Sequence, residues 1–471
     1  MTRVLSVASE CVPLVKTGGL ADVAGALPAA LAPQGVEMAT LVPGYPAVTA
    51  QLGKRAKTVL KLADLFGGPA LVRRDKLGAQ PLYVLDAPHL FDRPGSIYLG
   101  PDGRDWPDNP ERFAALSWVA AQIAAEGVDG WQPQVLHLHD WQAGLAPVYL
   151  RGMGARDRVR SLITIHNIAF QGLAPADRLP ALRLPESGYT PEGFEFYGRI
   201  SALKAGLVYA DRISTVSPTY AAELLTPEFG AGLDGVLRAR RADLTGILNG
   251  IDLDAWTPPY KSLRGKPRHT AALREEFGLP DADGPLCVVI SRLTHQKGLD
   301  LLLGALPALL DGGGQLALLG SGDAQLEVAF MQAARDHAGV AVRIGYDEAL
   351  SHRMIAGAEC ILVPSRFEPC GLTQLYGLRY GTLPLVALTG GLADTVIPAS
   401  VAGQLAGVAT GFQFHPVTGE ALERALVEMC AIHRDKPRWR AMQRNAMRHP
   451  VGWDTSAAAY AALFRDLAET T

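Results

Sequence analysis

The chain has 471 residues, enough for two to four domains of about 100–200 residues each. Lys and Arg number 44 against 47 Asp and Glu, and the resulting net charge of −3 offers no basic excess for binding nucleic acid. Hydrophobic residues make up 48% and charged residues 19%, and no apolar run approaches the roughly 20 residues of a membrane span, which argues against disordered and membrane-spanning proteins. No secretory signal pattern is evident, and the five scattered cysteines fit no metal or disulfide spacing, which favours a cytoplasmic protein with reduced thiols.

Short apolar runs alternate with helical patterns in the first half of the chain, as a parallel α/β sheet requires. The predicted strands are residues 4–8, 38–42, 82–86, 135–138, 162–165 and 212–216. The predicted helices are residues 20–31, 111–125 and 196–210. The irregular stretch 51–108 is expected to carry a β-hairpin.

The same alternation restarts in the second half. The predicted strands are residues 286–290, 316–319, 340–344, 360–363 and 383–387. The predicted helices are residues 299–310, 324–338, 348–357, one that starts at 372, and then 420–433, 437–447 and 455–467. Two such runs predict two doubly wound domains, and the Pro-rich polar segment 256–267 is interpreted as the crossing between them.

Ligands of open parallel sheets bind beyond the carboxyl ends of the strands, so two facing sheets would place a cleft between their strand-end loops. The loop after the first strand reads Lys-Thr-Gly-Gly-Leu-Ala-Asp at residues 16–22. Its glycines can present backbone N–H groups to an anion or a hydroxyl, and Lys16 adds a positive charge. It matches neither a Walker nor a dinucleotide fingerprint, and an ordinary tight turn is the alternative.

Three histidines lie at the ends of two neighbouring strands. Alternation places His137 and His139 on one face, but no third ligand is near in sequence, so a metal site is not predicted. Asp140 fits a helix N-cap or a ligand contact. His166 ends the next strand, where either a structural or a catalytic histidine is compatible with the pattern.

Arg292 and Lys297 follow the strand at 286–290 and precede a helix. Two cations that converge on a helix N-terminus suit a pyrophosphate without a Walker loop. The alternative is a pair of solvated cations on a loop. The strand at 340–344 is followed by Tyr346, which could stack on a base.

Glu368 follows the strand at 360–363 and precedes a helix opened by glycine. Its carboxylate can accept hydrogen bonds from sugar hydroxyls or stabilise developing positive charge. The backbone N–H groups of Gly371, Leu372 and Thr373 can hold an anionic leaving group. A helix cap is the alternative role for Glu368.

In this order and spacing, the motifs resemble bacterial glycogen (starch) synthases, retaining glucosyltransferases that use a nucleotide-sugar donor. The resemblance extends from residue 4 to about residue 460, and its most specific pieces are residues 16–23, 137–141, 292–298 and 364–376. It implies the GT-B class of α/β fold, in which two Rossmann-like doubly wound domains face each other across a deep cleft. The implied divisions are an acceptor-side domain at 1–248, a nucleotide-sugar-binding domain at 249–453, and a C-terminal helix at 454–471 that crosses back to the first domain.

The resemblance also implies roles for the matched residues. The catalytic set would be Glu368, which holds the glucose and stabilises an oxocarbenium-like transition state, His166 and Asp140, which contact that glucose, and Arg292 and Lys297, which offset charge on the leaving ADP. Donor-binding residues would be Lys16, Gly18, Gly19, Asn249, Tyr346 against adenine, Cys370, Gly371, Leu372 and Thr373. Asp22 and Tyr98 would lie on the acceptor side. Many GT-B enzymes carry a second Glu eight residues after the first, whereas this chain has Tyr376, which leaves open the group that holds the donor ribose.

The implied reaction transfers glucose from ADP-glucose to the non-reducing end of an α-1,4-glucan, such as glycogen or a malto-oligosaccharide, with retention of configuration. Double displacement would need a second carboxylate at about 5 Å, and only Glu368 is placed beside the anomeric carbon, so a same-face substitution is expected. Arg292 and Lys297 would replace a metal, and no metal, other cofactor, nucleic acid or membrane partner is predicted. The alternatives are a nucleotide-sugar epimerase, a glucan phosphorylase and a non-enzymatic glucan-binding protein, and the choice of ADP over UDP rests on the resemblance.

Overall fold

The computed structural model describes residues 1–470 and divides them into two compact units. The first unit is Met1–Asn249 together with the C-terminal segment from Trp453, and the second is Gly250–Gly452. Each unit has its own parallel sheet. Within residues 1–470, no helix is both long and apolar enough to cross a membrane.

The first unit contains a nine-stranded sheet and a small three-stranded sheet. Its strands are β1 (Thr2–Val7), β2 (Val36–Pro43), β3 (Lys57–Leu62), β4 (Ala70–Leu77), β5 (Gln80–Asp86), β6 (Val135–His139), β7 (Arg160–Ile165), β8 (Leu173–Pro175), β9 (Glu195–Phe196), β10 (Arg199–Ser201), β11 (Arg212–Thr215) and β12 (Leu244–Gly246). The large sheet has the order β12-β11-β7-β6-β1-β2-β5-β4-β3. It is parallel except for the pairings of β4 with β5 and β3, so the hairpin predicted within 51–108 forms its antiparallel edge.

Helices connect these strands. They are α1 (Gly19–Leu31), α2 (Pro46–Thr49), α3 (Pro88–Phe91), α4 (Asn109–Glu126), α5 (Ala146–Gly152), α6 (Ala202–Tyr209), α7 (Pro218–Glu223) and α8 (Asp234–Ala239). β6 is buried along its whole length although it contains His137 and His139, as a central parallel strand covered on both faces requires. β1, β6 and β7 are neighbours, which brings the loops after all three to one edge of the sheet.

The second unit is a six-stranded, wholly parallel sheet with the order β15-β14-β13-β16-β17-β18. Its strands are β13 (Leu286–Ile290), β14 (Gln315–Gly320), β15 (Val340–Ile344), β16 (Cys360–Val363), β17 (Leu383–Ala387) and β18 (Phe412–Phe414). Its helices are α9 (Lys266–Phe277), α10 (Leu299–Asp311), α11 (Ala324–Asp336), α12 (Glu348–Gly357), α13 (Thr373–Tyr380), α14 (Gly390–Thr395), α15 (Val401–Leu405), α16 (Gly419–Arg434) and α17 (Lys436–Arg448). The loops after the central neighbours β13 and β16 therefore meet at one edge.

The last helix, α18 (Asp454–Glu469), belongs to the first unit. Its buried face, which includes Tyr460 and Phe464, packs with Val4 of β1 and Leu27 of α1. The rings of Tyr460 and Phe464 also lie 5.4 Å from the ring of His137. Burial of this apolar stripe accounts for the return of the chain end to the first unit.

Two expectations from the sequence were wrong. The helix predicted at 196–210 begins only at Ala202, because Tyr197 and Gly198 adopt positive φ and form the turn between β9 and β10. The Ser201 side chain then caps α6 by accepting the N–H of Lys204 at 3.1 Å.

The other error concerns segment 256–267, which is not a crossing between domains. Trp256 is buried in the core of the second unit, where it is stacked on His352 at 4.0 Å and on Tyr376 at 3.5 Å between ring centroids. The aromatic side chains outweigh the polar, Pro-rich composition that suggested a linker. The division between the units instead falls at Asn249 and Gly250.

Candidate active site

The glycine loop after β1 is held by a carboxylate that sequence analysis missed. Glu10 Oε2 accepts the N–H of Thr17 at 2.5 Å, its hydroxyl at 2.7 Å and the N–H of Gly18 at 3.1 Å. The Gly18 N–H, predicted to face an external anion, is therefore occupied by the chain's own carboxylate. The prediction treated Gly18 as a free donor and was wrong on this point, because Glu10 is buried and needs these hydrogen bonds.

Lys16 and Asp22, which the sequence assigned to opposite substrates, form an ion pair at 2.8 Å. The positive charge predicted for a donor phosphate is thus balanced within the loop. Tyr98 contacts the loop after β1, where its hydroxyl is 2.7 Å from Ser9 Oγ and 3.4 Å from Glu10 Oε1. Burial raises the pKa values of Glu10 and of Tyr98. A carboxylate two residues beyond the predicted strand 4–8 is the sequence signal that could have drawn attention to Glu10.

Asp140 has a positive φ of 54° and follows β6. Asp140 stands at the N-cap position of the turn Trp141–Ala143, as the sequence predicts, but its carboxylate makes no cap bond. Oδ1 instead accepts the backbone N–H of His166 at 2.7 Å and of Asn167 at 3.4 Å. Burial, with a further contribution from the charge of Glu10, raises the pKa of Asp140 to about 7. Asp140 therefore fixes the loop that carries His166.

The histidines of β6 and the β7 loop form a buried polar cluster. His139 Nδ1 lies 2.9 Å from His166 Nε2, and His139 Nε2 lies 3.0 Å from the hydroxyl of Ser6. His137 Nε2 lies 2.7 Å from Thr164 Oγ1. Burial lowers the pKa of His137 and of His166 to about 3 and lowers that of His139 well below its usual value, so all three rings are neutral near pH 7.

In the second unit, the side chains of Glu368 and Lys297 are in contact, although 71 residues of sequence separate them. Lys297 Nζ donates to Glu368 Oε2 at 2.5 Å, and the Ser365 hydroxyl donates to the same oxygen at 2.9 Å. The two charged side chains are only 20% and 10% exposed. Glu368 makes no cap for α13, so the capping alternative was wrong and the carboxylate stays at the strand edge.

A second ion pair fixes these two loops to each other. Arg366 donates to both carboxylate oxygens of Asp300, at 2.6 and 2.7 Å. Its backbone N–H also donates to the carbonyl of Gln296 at 2.8 Å. The loop that carries Lys297 is thereby held against the loop that carries Glu368, which sets the geometry of their contact.

The backbone before α13 leaves donors free. Within residues 1–470, the N–H groups of Gly371 and Leu372 have no hydrogen-bond acceptor, and Thr373 starts the helix. Gly371 has a φ of 71°, and a Cβ there would lie 2.5 Å from Gln374 Oε1 and 3.1 Å from Glu368 Cγ. Glycine is needed for both the conformation and the space. Open N–H groups at a helix N-terminus are suited to an anion, and these lie next to Glu368.

The remaining predicted residues have different surroundings. Arg292 and Tyr346 are exposed, and the Tyr346 hydroxyl donates to Glu348 at 2.9 Å. Cys370 is a buried cysteine beside Gly371, and Gly19 is the first residue of α1. Asn249 is buried, and its Oδ1 has no partner in the described part of the chain.

Tyr376, at the position where many related folds carry a second Glu, is stacked face to face on Trp256, so its ring is part of the core. Among residues 1–470, no group of three His, Cys, Asp or Glu side chains could hold a metal ion.

Comparison with known proteins matches residues 3–239 to the starch synthase catalytic domain family and residues 273–446 to the family of glycosyl transferases group 1. A glycogen synthase of Paracoccus denitrificans is 72% identical over 470 residues, covering 99% of this chain and 100% of that protein. The chain belongs to the glycogen and starch synthase family. It is thus a glycosyltransferase with the GT-B fold of two Rossmann-like units.

Solved structures agree with this assignment. The catalytic domain of starch synthase IV from Arabidopsis thaliana, bound to ADP and acarbose, superposes with a TM-score of 0.87 at 29% identity and covers 99% of both chains. Sucrose-phosphate synthase from Thermosynechococcus elongatus, with a TM-score of 0.62 at 19% identity over 100% of both chains, shares the fold. Membership of a glycosyltransferase family removes the epimerase and the non-enzymatic glucan-binding protein from the alternatives.

Proposed function

We propose that the chain transfers glucose from ADP-glucose to the non-reducing end of an α-1,4-glucan, in the cytoplasm, with retention of configuration. The observation that carries the proposal is the arrangement before α13, where a buried carboxylate lies beside free backbone N–H groups. Glu368 suits a sugar that develops positive charge, and the N–H groups of Gly371 and Leu372 suit the phosphate that leaves. The five cysteines are buried and form no disulfide within residues 1–470, which fits a reducing compartment.

In the proposed reaction, the bond between the anomeric carbon and the β-phosphate oxygen breaks while the bond to the acceptor O4 forms on the same face. The electron pair of the broken bond stays on ADP, whose phosphate oxygen takes the proton of the acceptor hydroxyl. Glu368 stabilises the positive charge that develops on the sugar, and Lys297 and Arg292 offset the charge on the phosphate. We propose that these cations and the helix N-terminus make a metal unnecessary.

Donor and acceptor residues take the roles that the family resemblance implies. Lys16, Gly19, Asn249, Tyr346, Cys370 and Thr373 would contact the donor, and Asp22 and Tyr98 would lie toward the glucan. The buried, unpartnered Oδ1 of Asn249 supports a ligand contact, because such an atom is costly unless it is bound. The ring of Tyr346 is exposed, and an aromatic ring suits stacking on a base.

A single assay tests the proposal. Incorporation of glucose into glycogen is measured in parallel from ADP-glucose and UDP-glucose, with and without EDTA, and the anomeric configuration of the new bond is read by NMR. We expect α-linked product from ADP-glucose at least about tenfold faster than from UDP-glucose, without dependence on metal. A β-linked product, or activity that EDTA abolishes and Mg²⁺ restores, would contradict the mechanism.

A further inference from the structure

A buried hydroxyl lies at the end of a hydrogen-bonded chain that leads to His166. Ser6 is in β1 and is 1% exposed. Its hydroxyl lies 3.0 Å from His139 Nε2, and His139 Nδ1 lies 2.9 Å from His166 Nε2. The three residues come from the neighbouring strands β1 and β6 and the loop after β7.

The direction of the first bond follows from what Ser6 can donate to. A buried hydroxyl must donate its hydrogen, and within residues 1–470 the only hydrogen-bond partner of Ser6 Oγ is His139 Nε2. The O–H of Ser6 therefore donates, and Nε2 of His139 accepts. Because a neutral imidazole carries one proton, the proton of His139 lies on Nδ1.

The second bond then has only one direction. His139 Nδ1–H donates to His166 Nε2, so Nε2 of His166 is an acceptor and its own proton lies on Nδ1. No hydrogen bond within the described residues engages His166 Nδ1, and the ring is only half-buried. His166 can thus offer an N–H donor beyond the chain.

We propose that Ser6 and His139 are positioning residues that fix His166 as the Nδ1–H tautomer, so that His166 donates a hydrogen bond to a hydroxyl of the transferred glucose. The inference rests on the proposed function in one respect, namely that His166 faces the sugar. With Nε2 engaged by His139 and Nδ1 protonated, His166 has no free lone pair and cannot serve as a base toward the substrate. This leaves the acceptor proton to the leaving phosphate, as the same-face reaction requires.

A second buried chain provides a matched control. Ser214, also fully buried in a strand, has its Oγ 2.7 Å from Thr164 Oγ1, which in turn contacts His137 Nε2. The ring of His137 packs against His139, but no hydrogen bond joins it to His166. Ser214→Ala therefore removes the same atom from the same kind of site without changing the tautomer of His166.

The direct test is made on the unaltered chain, and variants serve only to assign its signals. Nitrogen NMR of the ¹⁵N-histidine-labelled protein distinguishes protonated from unprotonated ring nitrogens, and the His166 and His139 signals are assigned with His166→Gln and His139→Gln. We expect both histidines to be protonated on Nδ1 at pH 7. A His166 ring protonated on Nε2 would overturn the proposal, whether or not the enzyme uses ADP-glucose, so its failure can be separated from failure of the proposed function.

Kinetics then test whether the tautomer matters. Ser6→Ala should lower kcat by about 10- to 100-fold, the size found when the partners that orient metal-ligating histidines are removed, with KM for ADP-glucose changed less than about twofold. Ser6→Cys retains a weak donor and should restore part of kcat, and Ser214→Ala should keep kcat within about twofold. Equal losses in Ser6→Ala and Ser214→Ala, or an unchanged His166 signal in Ser6→Ala, would show that Ser6 acts only through packing.

Discussion

The strand-end loops of the two units differ in whether their backbone N–H groups have hydrogen-bond acceptors. In the first unit, Glu10 occupies the N–H groups of Thr17 and Gly18, and Asp140 occupies that of His166. In the second unit, the charged side chains pair with each other while the N–H groups of Gly371 and Leu372 stay open. Loops that satisfy their own donors suit a neutral polymer, whereas open donors suit an anion that arrives and leaves.

The carboxylates of the two units also have different tasks: Glu10 and Asp140 in the first unit hold the loop backbone, whereas Glu368 in the second offers its charge. Both carboxylates of the first unit are buried and hold backbone, so their task is to fix loop shape. Within residues 1–470, the Glu368 side chain accepts no backbone N–H, and its hydrogen bonds come from Lys297 and Ser365. Its Oε1 is left without a hydrogen-bond donor in residues 1–470, which is the group that a substrate hydroxyl can reach.

The largest effect is expected from Glu368→Gln, which removes the charge but keeps the shape. Glucose transfer should fall by about 10²–10³-fold, because one well-placed electrostatic group contributes that much to rate. The free energy of unfolding should fall by only about 1–3 kcal/mol, since the amide oxygen still accepts from Lys297. Steady-state kinetics and urea unfolding measure the two quantities on the same preparation.

Glu276→Gln is the matched control for that variant. Glu276 accepts from Arg353 at 2.8 Å and from Arg343 at 3.3 Å, and it lies in the same unit on α9. Removal of the Glu276 charge should leave the rate of glucose transfer unchanged. If both variants kept full activity, Glu368 would have only a structural role. The difference in hydrogen bonding between the two units would then have no bearing on glucose transfer.

Next in size is Gly371→Ala, which tests whether the open N–H groups need the exact loop geometry. The added Cβ must displace Gln374 or Glu368, so transfer should fall by about 10- to 100-fold. A left-handed alanine should also cost about 1–2 kcal/mol of unfolding free energy. Kinetics with ADP-glucose and thermal unfolding would measure both losses.

Variants of two further glycines separate the effect of backbone strain from the effect of altered site geometry in Gly371→Ala. Gly278 has nearly the same φ, 68°, but nothing lies within 4 Å of a Cβ there, so Gly278→Ala should lose stability and keep activity. Gly18 in the first unit has extended backbone with φ of −153°, and its Cβ would lie 3.8 Å from Glu10. Gly18→Ala should therefore fold normally. A loss of activity in Gly278→Ala would mean that strain, and not the site, explains Gly371.

Sequence analysis located the loops better than the contacts within them. β13 and β16 could be found because unbroken apolar runs are typical of central parallel strands, and this placed Lys297 and Glu368 at a strand edge. Their direct contact spans 71 residues and depends on strand order, which one sequence does not encode locally. Glu10 was missed because its importance comes from burial after β1, which only packing reveals.

The hairpin of β9 and β10 shows a different limit. Apolar spacing between residues 196 and 210 favoured a helix throughout, although Tyr197 takes a positive φ that a bulky residue rarely adopts. Pairing with β8 overrides the local preference there. Likewise, Trp256 lies in a segment of linker-like composition, and only its stack with Tyr376 shows that it belongs to the core.

The smallest expected effects are on the pH dependence of stability, which should differ between the units. His137 has a pKa of about 3 in the folded first unit because of burial, against about 6.5 when unfolded. The unfolded state binds more protons between these values, so the histidine's contribution is lost as pH falls from about 7 to 5. Lys266 in the second unit has a pKa lowered to about 7 by burial, against about 10.4 unfolded, so its contribution is lost as pH falls from about 10 to 7.

Urea unfolding at pH 5, 7 and 9 tests both signs. His137→Gln should reduce the change in the free energy of unfolding between pH 7 and 5. Lys266→Met should reduce the change between pH 9 and 7. Each variant should leave the other pH interval as it is in the original chain. Differences between variant and original chain are needed, because burial raises the pKa of Asp140 to about 7 and so opposes the histidines over the same interval. If Lys266→Met left the change between pH 9 and 7 as in the original chain, the ammonium would be charged in the folded state, stabilised by its hydrogen bonds to Thr382 and the backbone around it.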